Sequence, residues 1–359
     1  MKRKILRRLN KFWCNFCKKL KLKKRVLFFT IRKNGALEEN LKAVYDELDC
    51  KKAIFAHTLP HSKLLNAIAY FKILTSKVIV TDDYCRYLTA VKLKNNQSFI
   101  QLWHAAGAFK RFGLDDVNSI FTKQEEKAYH SGYTFVCVSG EEVKKHYANA
   151  FGIDENKCIA TGLARTDLLI KSKEKYKKEI FKLLELEENK KIYLYCPTFR
   201  EENGKKIAFN PEIDFDKLSR ELYENEIFII HRHPAMKESF LKKEYPNIMD
   251  LSSVETGKIL AASKCLITDY SSVIYDALLL DVPCVFYCPD IEKYSRGFYF
   301  NFPDDLPGEM ITSPKEILKA ARQAVLSEKA FDFRKKQLSC CDGEAVKRIV
   351  NVIKGELEK

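Results

Sequence analysis

Short apolar runs rich in β-branched and aromatic residues recur along this chain. Between them, apolar positions return every three to four residues. The runs predict strands at 26–31, 53–56, 78–81, 99–102, 135–138, 158–161, 192–196, 227–231, 265–268 and 284–287. The intervening periodicity predicts helices, for example over 37–48 and 64–74. A continuous apolar run marks a strand buried on both faces, and strand–helix alternation implies parallel sheets covered by helices on each side. Residues 171–191 are charged and free of Gly and Pro, so they predict a helix carrying the chain from one half to the other. At 359 residues the chain exceeds what one core usually holds, and two domains are expected.

The net charge of +15 suggests a nucleic-acid binder until it is located. Residues 1–25 hold 12 Lys and Arg and no acid; without them 51 basic residues face 48 acidic ones, a net of +3. The body is therefore near neutral, which argues against nucleic acid as partner. In the basic segment Ile5, Leu9, Phe12, Trp13, Phe16 and Leu20 recur at helical spacing. A helix with one aromatic, apolar face and Lys/Arg elsewhere suits the headgroup region of an anionic membrane. A signal peptide fits less well, since the apolar positions of this segment never form a continuous run of about seven or more residues. No apolar run is long enough to span a bilayer. The expected location is the cytoplasmic face of the membrane, with peripheral attachment.

Of the twelve cysteines, Cys137, Cys158, Cys196, Cys265 and Cys284 sit inside apolar runs and read as small core residues. Cys14 and Cys17 have no second pair at zinc-finger spacing. Asp214-Phe215-Asp216 has the spacing of a metal-binding carboxylate pair, but it stands in a charged stretch before a helix, not at the end of an apolar strand. No metal and no cofactor are called for.

The candidate chemistry gathers where predicted strands end, which is where open parallel sheets bind ligands. Strand 99–102 runs into Trp103-His104, a small-residue loop, then Lys110 and Arg111. A histidine there can take a proton near neutral pH. Strand 192–196 leads to Thr198 and Arg200, strand 227–231 to His233-Pro234, and strand 158–161 to Gly162 and Arg165. Strand 265–268 ends in Thr268-Asp269-Tyr270-Ser271-Ser272 and turns into a helix, so hydroxyls, free N–H groups and the positive end of a helix dipole share one place. Arg296-Gly297-Phe298-Tyr299-Phe300 completes the set. These groups suit a diphosphate ligand, with arginine offering a fork for phosphate oxygens.

Taken in order, Trp103-His104 with Lys110-Arg111, Gly162 with Arg165 and Asp167, Cys196 to Arg200, His233-Pro234, Ile267 to Ser272, Arg296 to Phe300 and Asp342 to Ala345 resemble the CDP-glycerol glycerophosphotransferase family of teichoic-acid and capsule synthesis. The resemblance covers roughly residues 95–350. It implies a GT-B-like pair of Rossmann-type, doubly wound domains facing a cleft. A basic helix at 1–25 would precede an acceptor domain at 26–175 and a CDP-donor domain at 176–330, with a C-terminal helix at 331–359 returning to the first domain. It also implies transfer of a polyol phosphate, glycerol phosphate foremost and ribitol phosphate next, from a CDP-polyol to a hydroxyl of a lipid-linked or polysaccharide acceptor, with release of CMP. His104 and His233 take the family's catalytic positions. Lys110, Arg111, Arg165, Thr198, Arg200, Thr268, Asp269, Ser271, Ser272 and Arg296 are the expected substrate-binding residues. Two departures stand out: Ala105-Ala106-Gly107 replaces the family's Gly-Thr-Pro, and Ala164 precedes Arg165 where the family has Pro.

Two other readings share parts of this pattern. A GT-B glycosyltransferase using a nucleotide-sugar has the same fold and phosphate logic but breaks another bond. A non-catalytic nucleic-acid or membrane-binding protein would explain the basic terminus, but it leaves the His, Arg, Asp and Ser positions without a purpose.

Overall fold

The computed structural model describes residues 2–359 apart from 90, 203, 204, 208, 234, 235, 237 and 295, and no side chain of 2–10, 88, 201, 202, 205 or 206. The side chains of Ile5 and Leu9, and Pro234, thus lie outside the described residues. Two compact units emerge, one of residues 1–105, 112–168 and 339–359, the other of 106–111 and 169–338.

The first unit holds β1 (Lys23–Thr30), β2 (Lys52–Ala56), β3 (Ser76–Thr81), β4 (Ser98–Gln101), β5 (Phe135–Val138) and β6 (Cys158–Ala160). They form one parallel sheet in the order β2-β1-β3-β4-β5-β6. Its helices are α1 (Lys2–Lys19), α2 (Glu39–Glu47), α3 (Lys63–Thr75), α4 (Lys123–His130), α5 (Lys144–Phe151) and α6 (Ala164–Lys171), in which the division between units falls. The second unit begins with α7 (Lys173–Leu183), β7 (Lys191–Cys196), the hairpin β8 (Arg200–Glu202) and β9 (Lys205–Ile207), α8 (Phe215–Glu221), β10 (Glu226–Ile230) and β11 (Ile248–Asp250). It continues through α9 (Thr256–Ala262), β12 (Ser263–Thr268), α10 (Val273–Leu279), β13 (Cys284–Tyr287), β14 (Glu309–Ile311), α11 (Ile317–Gln323) and α12 (Glu328–Leu338). Its parallel sheet has the order β11-β10-β7-β12-β13-β14. The final helix, α13 (Ala345–Glu358), belongs to the first unit.

Both orders reverse once. In the first sheet the chain turns back between β1 and β3, in the second between β7 and β12, and the crevice at the carboxyl end of such a switch point is where doubly wound sheets bind ligands. Continuous burial on both faces explains why most strands are legible as apolar runs: Val26–Phe29, Val78–Val80, Ile192–Tyr195 and Leu266–Ile267 are at most 1% exposed. On one face of the first sheet, Phe28, Val78, Val80 and Ile100 pack with Leu41 and Val44 of α2 and with Ile349, Ile353 and Leu357 of α13. Ser98 on β4 hydrogen-bonds the buried carboxylate of Glu356 on α13.

Several expectations need correcting. Helix α1 ends at Lys19 and strand β1 begins at Lys23, so the basic helix does not extend to residue 25. Arg25 donates to Ser76 Oγ at 2.9 Å and Thr75 Oγ1 at 3.2 Å and ties the start of β1 to the start of β3. Helix α1 is docked on α3, with Trp13 Nε1 donating to the Ala67 carbonyl at 2.9 Å and Cys14 and Cys17 buried. Phe12 and Phe16 remain outward, 74% and 48% exposed. The single helix expected over 171–191 is α6 and α7, ending at Leu183. The units divide at 168/169 and 338/339, not at 175/176 and 330/331, so α12 stays with the second unit. The three-residue strands β11 and β14 at the sheet edge carry too few apolar positions for a periodicity to show.

Candidate active site

In the first unit the site is built on the carboxyl ends of β1, β3 and β4. Trp103, directly beyond β4, has φ +54°, a left-handed conformation that a bulky residue seldom adopts. Two buried amides hold it there. Gln101 Oε1 accepts from the Trp103 N–H at 2.9 Å, and Asn40 Nδ2 donates to the Trp103 carbonyl at 2.9 Å. Asn40 Oδ1 also accepts from the Arg165 N–H at 2.8 Å, tying the start of α6 to the same turn. Strain of this kind persists only where the surroundings over-determine it, and it gathers at functional sites.

The turn presents His104. Its ring stacks on Trp103 with centroids 4.4 Å apart, and its Nδ1 lies 3.1 Å from the Asp82 carbonyl. A carbonyl only accepts, so Nδ1 carries the proton and Nε2 of the neutral ring is the bare nitrogen. Burial lowers the His104 pKa below the usual imidazole value, against the opposing pull of Asp83. The neutral, Nδ1-protonated imidazole is therefore the resting form near neutrality, as a general base requires. Asp82 itself is 2% exposed; its Oδ2 lies 3.9 Å from Arg32 Nη1, and its Oδ1 has no hydrogen-bond partner. Burial, the largest influence, pushes its carboxyl up to about 7 against the pull of Thr30 and Arg32. Asp82 was not anticipated, though it ends an apolar run as His104 does.

In the second unit the switch point joins the loop after β7 to the turn after β12. Asp269, 1% exposed, accepts from the Thr198 N–H at 3.0 Å, Thr198 Oγ1 at 2.9 Å and Arg200 Nη1 at 2.8 Å. The other edge of the Arg200 guanidinium forms a fork on Asp290, at 2.5 and 3.0 Å. Its plane lies over Phe209, 3.9 Å from the ring centre. Burial works against that charge, but the two carboxylates outweigh it and raise the pKa above the usual arginine value. From the sequence, Arg200 is expected to hold the diphosphate, and Thr198, Thr268 and Asp269 to belong to the substrate-binding set, with Asp269 orienting this loop or a donor hydroxyl. The arginine charge is already balanced by two acids, and Thr268 is fully buried with its hydroxyl donated to the Cys196 carbonyl at 2.7 Å. These four residues, bonded to one another or to the ends of β7 and β12, form a frame in which Asp269 joins the loop after β7 to the turn after β12.

The frame carries more accessible groups. Ser271 is half-buried and its Oγ accepts from the Val273 N–H at 3.3 Å, whereas Ser272 is exposed and makes no side-chain cap to α10. His233 is half-buried, edge-on to Phe199 with centroids 4.6 Å apart. Arg296 donates through Nε and Nη2 to the Arg111 carbonyl at 3.2 and 3.1 Å, and Lys110 lies over the Tyr294 ring. Tyr294 in turn stacks on Tyr270, 3.7 Å between centroids. Thus Lys110, Arg111 and Arg296 form one group, the frame of Arg200 and Asp269 a second, and His104 with Asp82 belongs to the other unit. Arg165 stands at the first turn of α6, and Asp167 accepts from the N–H groups of Ala345 and Val346, fixing the start of α13.

Asp214 and Asp216 have local tasks: Asp214 caps α8 through the Lys217 N–H, and Asp216 pairs with Lys243. Among the described residues, no group of three or more His, Cys, Asp or Glu is arranged to hold a metal. No helix among them is long and apolar enough to cross a membrane.

A family model described as CDP-glycerol:poly(glycerophosphate) glycerophosphotransferase matches residues 12–355. The chain is 33% identical over 302 residues to a teichoic acid poly(ribitol-phosphate) polymerase of Bacillus spizizenii, covering 81% of this chain and 48% of that protein. It is 31% identical to the Staphylococcus aureus ribitol-phosphate polymerase TarK, covering 94% and 70%. It is 30% identical to a Bacillus subtilis teichoic acid glycerol-phosphate primase, covering 79% and 75%. In fold it is similar to a variant of the wall teichoic acid polymerase TagF, with TM-score 0.77 and 24% identity over 97% of this chain and 94% of that one. A UDP-GlcNAc 2-epimerase from Neisseria meningitidis shares the architecture more distantly, with TM-score 0.58 and 16% identity over 92% and 100%. The fold is thus GT-B-like.

Proposed function

Because this chain belongs to the CDP-glycerol:poly(glycerophosphate) glycerophosphotransferase family, whose members are enzymes transferring phosphate-containing groups, we propose that it moves a polyol phosphate from a CDP-polyol to an acceptor hydroxyl in teichoic-acid synthesis. The acceptor oxygen attacks the phosphorus that bears the polyol, the bond from that phosphorus to the CMP oxygen breaks, and CMP leaves. Little covalent work falls to the protein beyond alignment, proton transfer and charge neutralisation. The observation that carries the reading is the His104 imidazole: half-buried, stacked on a strained Trp103 and bonded through Nδ1 to a backbone carbonyl. In this assignment Nε2 takes the acceptor proton.

On the donor side, His233, Ser271 and Ser272 take the diphosphate oxygens, with Lys110, Arg111 and Arg296 supplying positive charge. Arg200, Asp269, Thr198 and Thr268 keep that surface in place. The lipid-linked or polysaccharide acceptor is met at an anionic membrane surface, on which the exposed Phe12 and Phe16 would rest amid Lys11, Lys18 and Lys19. The near-neutral body leaves nucleic acid outside this reading.

The test is to incubate the protein with CDP-glycerol, CDP-ribitol and a panel of nucleotide-sugars, together with a lipid-linked glycerol-phosphate acceptor, and to record CMP release. His104→Ala should lower turnover by roughly 10²–10⁴-fold while donor binding is nearly unchanged. Product formed from a nucleotide-sugar alone would instead favour the glycosyltransferase.

A further inference from the structure

The fold satisfies the carboxylate of Asp82 only in part: Thr30 and Arg32 act on it, but one of its two oxygens is left over. The residue directly follows β3 at the switch point of the first sheet, beside β4, and His104 stands in the turn after β4 with its Nδ1 on the Asp82 carbonyl. Asp82 is 2% exposed, and Oδ1 meets no hydrogen-bond partner. The nearest cation, Arg32, stands at 3.9 Å from Oδ2 and is itself engaged by Glu39 at 2.9 Å. Buried polar atoms are nearly always paired, and an unpaired carboxylate oxygen in the interior is expensive to keep. A chain retains such a group where a ligand supplies the missing partner.

We propose that Asp82 binds the acceptor, its Oδ1 receiving a hydrogen bond from the hydroxyl next to the one that attacks, so that the site selects acceptors ending in a vicinal diol. This rests on the assignment of His104 as the base. Neighbouring strands lie about 4.8 Å apart, so the ends of β3 and β4 can address two oxygens on adjacent carbons. The attacking hydroxyl gives its proton to His104 Nε2 as its oxygen bonds phosphorus, while the second hydroxyl keeps its proton and donates to Asp82. The high pKa of the Asp82 carboxyl is the expected signature of an acid awaiting a partner. Sites built to hydrogen-bond a substrate hydroxyl reject analogues lacking it far more strongly than apolar pockets reject a missing methylene, because the site's own polar group is then stranded.

The experiment uses the full-length protein, its CDP-polyol donor and two short acceptors: an alkyl glycerol phosphate ending in a 1,2-diol, and the propane-1,3-diol analogue lacking the middle hydroxyl. The wild-type protein should use the diol at least roughly 30-fold better in kcat/KM, and Asp82→Ala should bring the two within roughly 3-fold of each other. Equal use of both acceptors by the wild type overturns the proposal while leaving the transferase reading intact, and this comparison needs no variant to fold. A variant that loses both activities equally, with the ratio preserved, overturns it too. Failure of the wild type to release CMP from any CDP-polyol would sink the transferase reading itself.

Discussion

Replacing Asp82 by Asn should stabilise the protein, and by an amount that grows with pH. With its carboxyl raised from an ordinary value of 3.8 to about 7, the folded state binds a proton that the unfolded chain has released across that window. The sign follows directly: stability is lost as pH rises from the unfolded pKa through the folded one, and below the unfolded pKa nothing is lost. A rise of that size corresponds to about 4 kcal/mol once pH exceeds the folded value, against about 1.5 kcal/mol at about pH 5. Asparagine cannot ionise. The stability difference between Asp82→Asn and wild type should therefore widen by about 2.5 kcal/mol between about pH 5 and 8, whatever hydrogen bonds the new amide makes. Both tryptophans of the chain, Trp13 and Trp103, lie in the first unit, so denaturant unfolding followed by tryptophan fluorescence reads that unit. A difference that stays flat across this range would refute the reasoning, because it would mean that Asp82 ionises in the folded state as readily as in water.

The depressed pKa of His104 predicts that the acid limb of kcat/KM lies below pH 6.5, the ordinary imidazole value; a limb at or above it would rule the residue out as the base measured. Asp269→Ala strips a buried arginine of one of its two carboxylates and should cost about 3–5 kcal/mol in chemical denaturation, with donor affinity falling as the loop after β7 loosens. Gly162→Ala should be comparably damaging, since its φ is +79° and an added Cβ would stand 2.0 Å from the Cys340 carbonyl oxygen; a melting temperature within a degree of wild type would contradict that geometry. Phe12→Ser with Phe16→Ser should weaken co-sedimentation with anionic vesicles while leaving Trp13, Cys14 and Cys17 on α3, and unchanged binding would reassign that face.

The chain's own pattern determined most of the architecture. Runs such as Ile192–Tyr195 are apolar at every position because both faces of a parallel sheet are covered, and that requirement is written locally. The histidine beyond β4 and the hydroxyl-rich turn beyond β12 were legible for the same reason, since strand ends are where such sheets present chemistry. Which of those polar groups are already engaged was decided by partners far along the chain. Arg200 looks like a phosphate ligand until Asp269 and Asp290, 69 and 90 residues away, are seen to balance its charge. Asp82 looks like a turn residue until burial leaves one of its oxygens without a partner. The left-handed Trp103 has no sequence signal, being held by Asn40 and Gln101. Hydrophobic burial is a property of each residue and its near neighbours, so it can be read along the chain; charge compensation and strain depend on which distant groups the fold brings together.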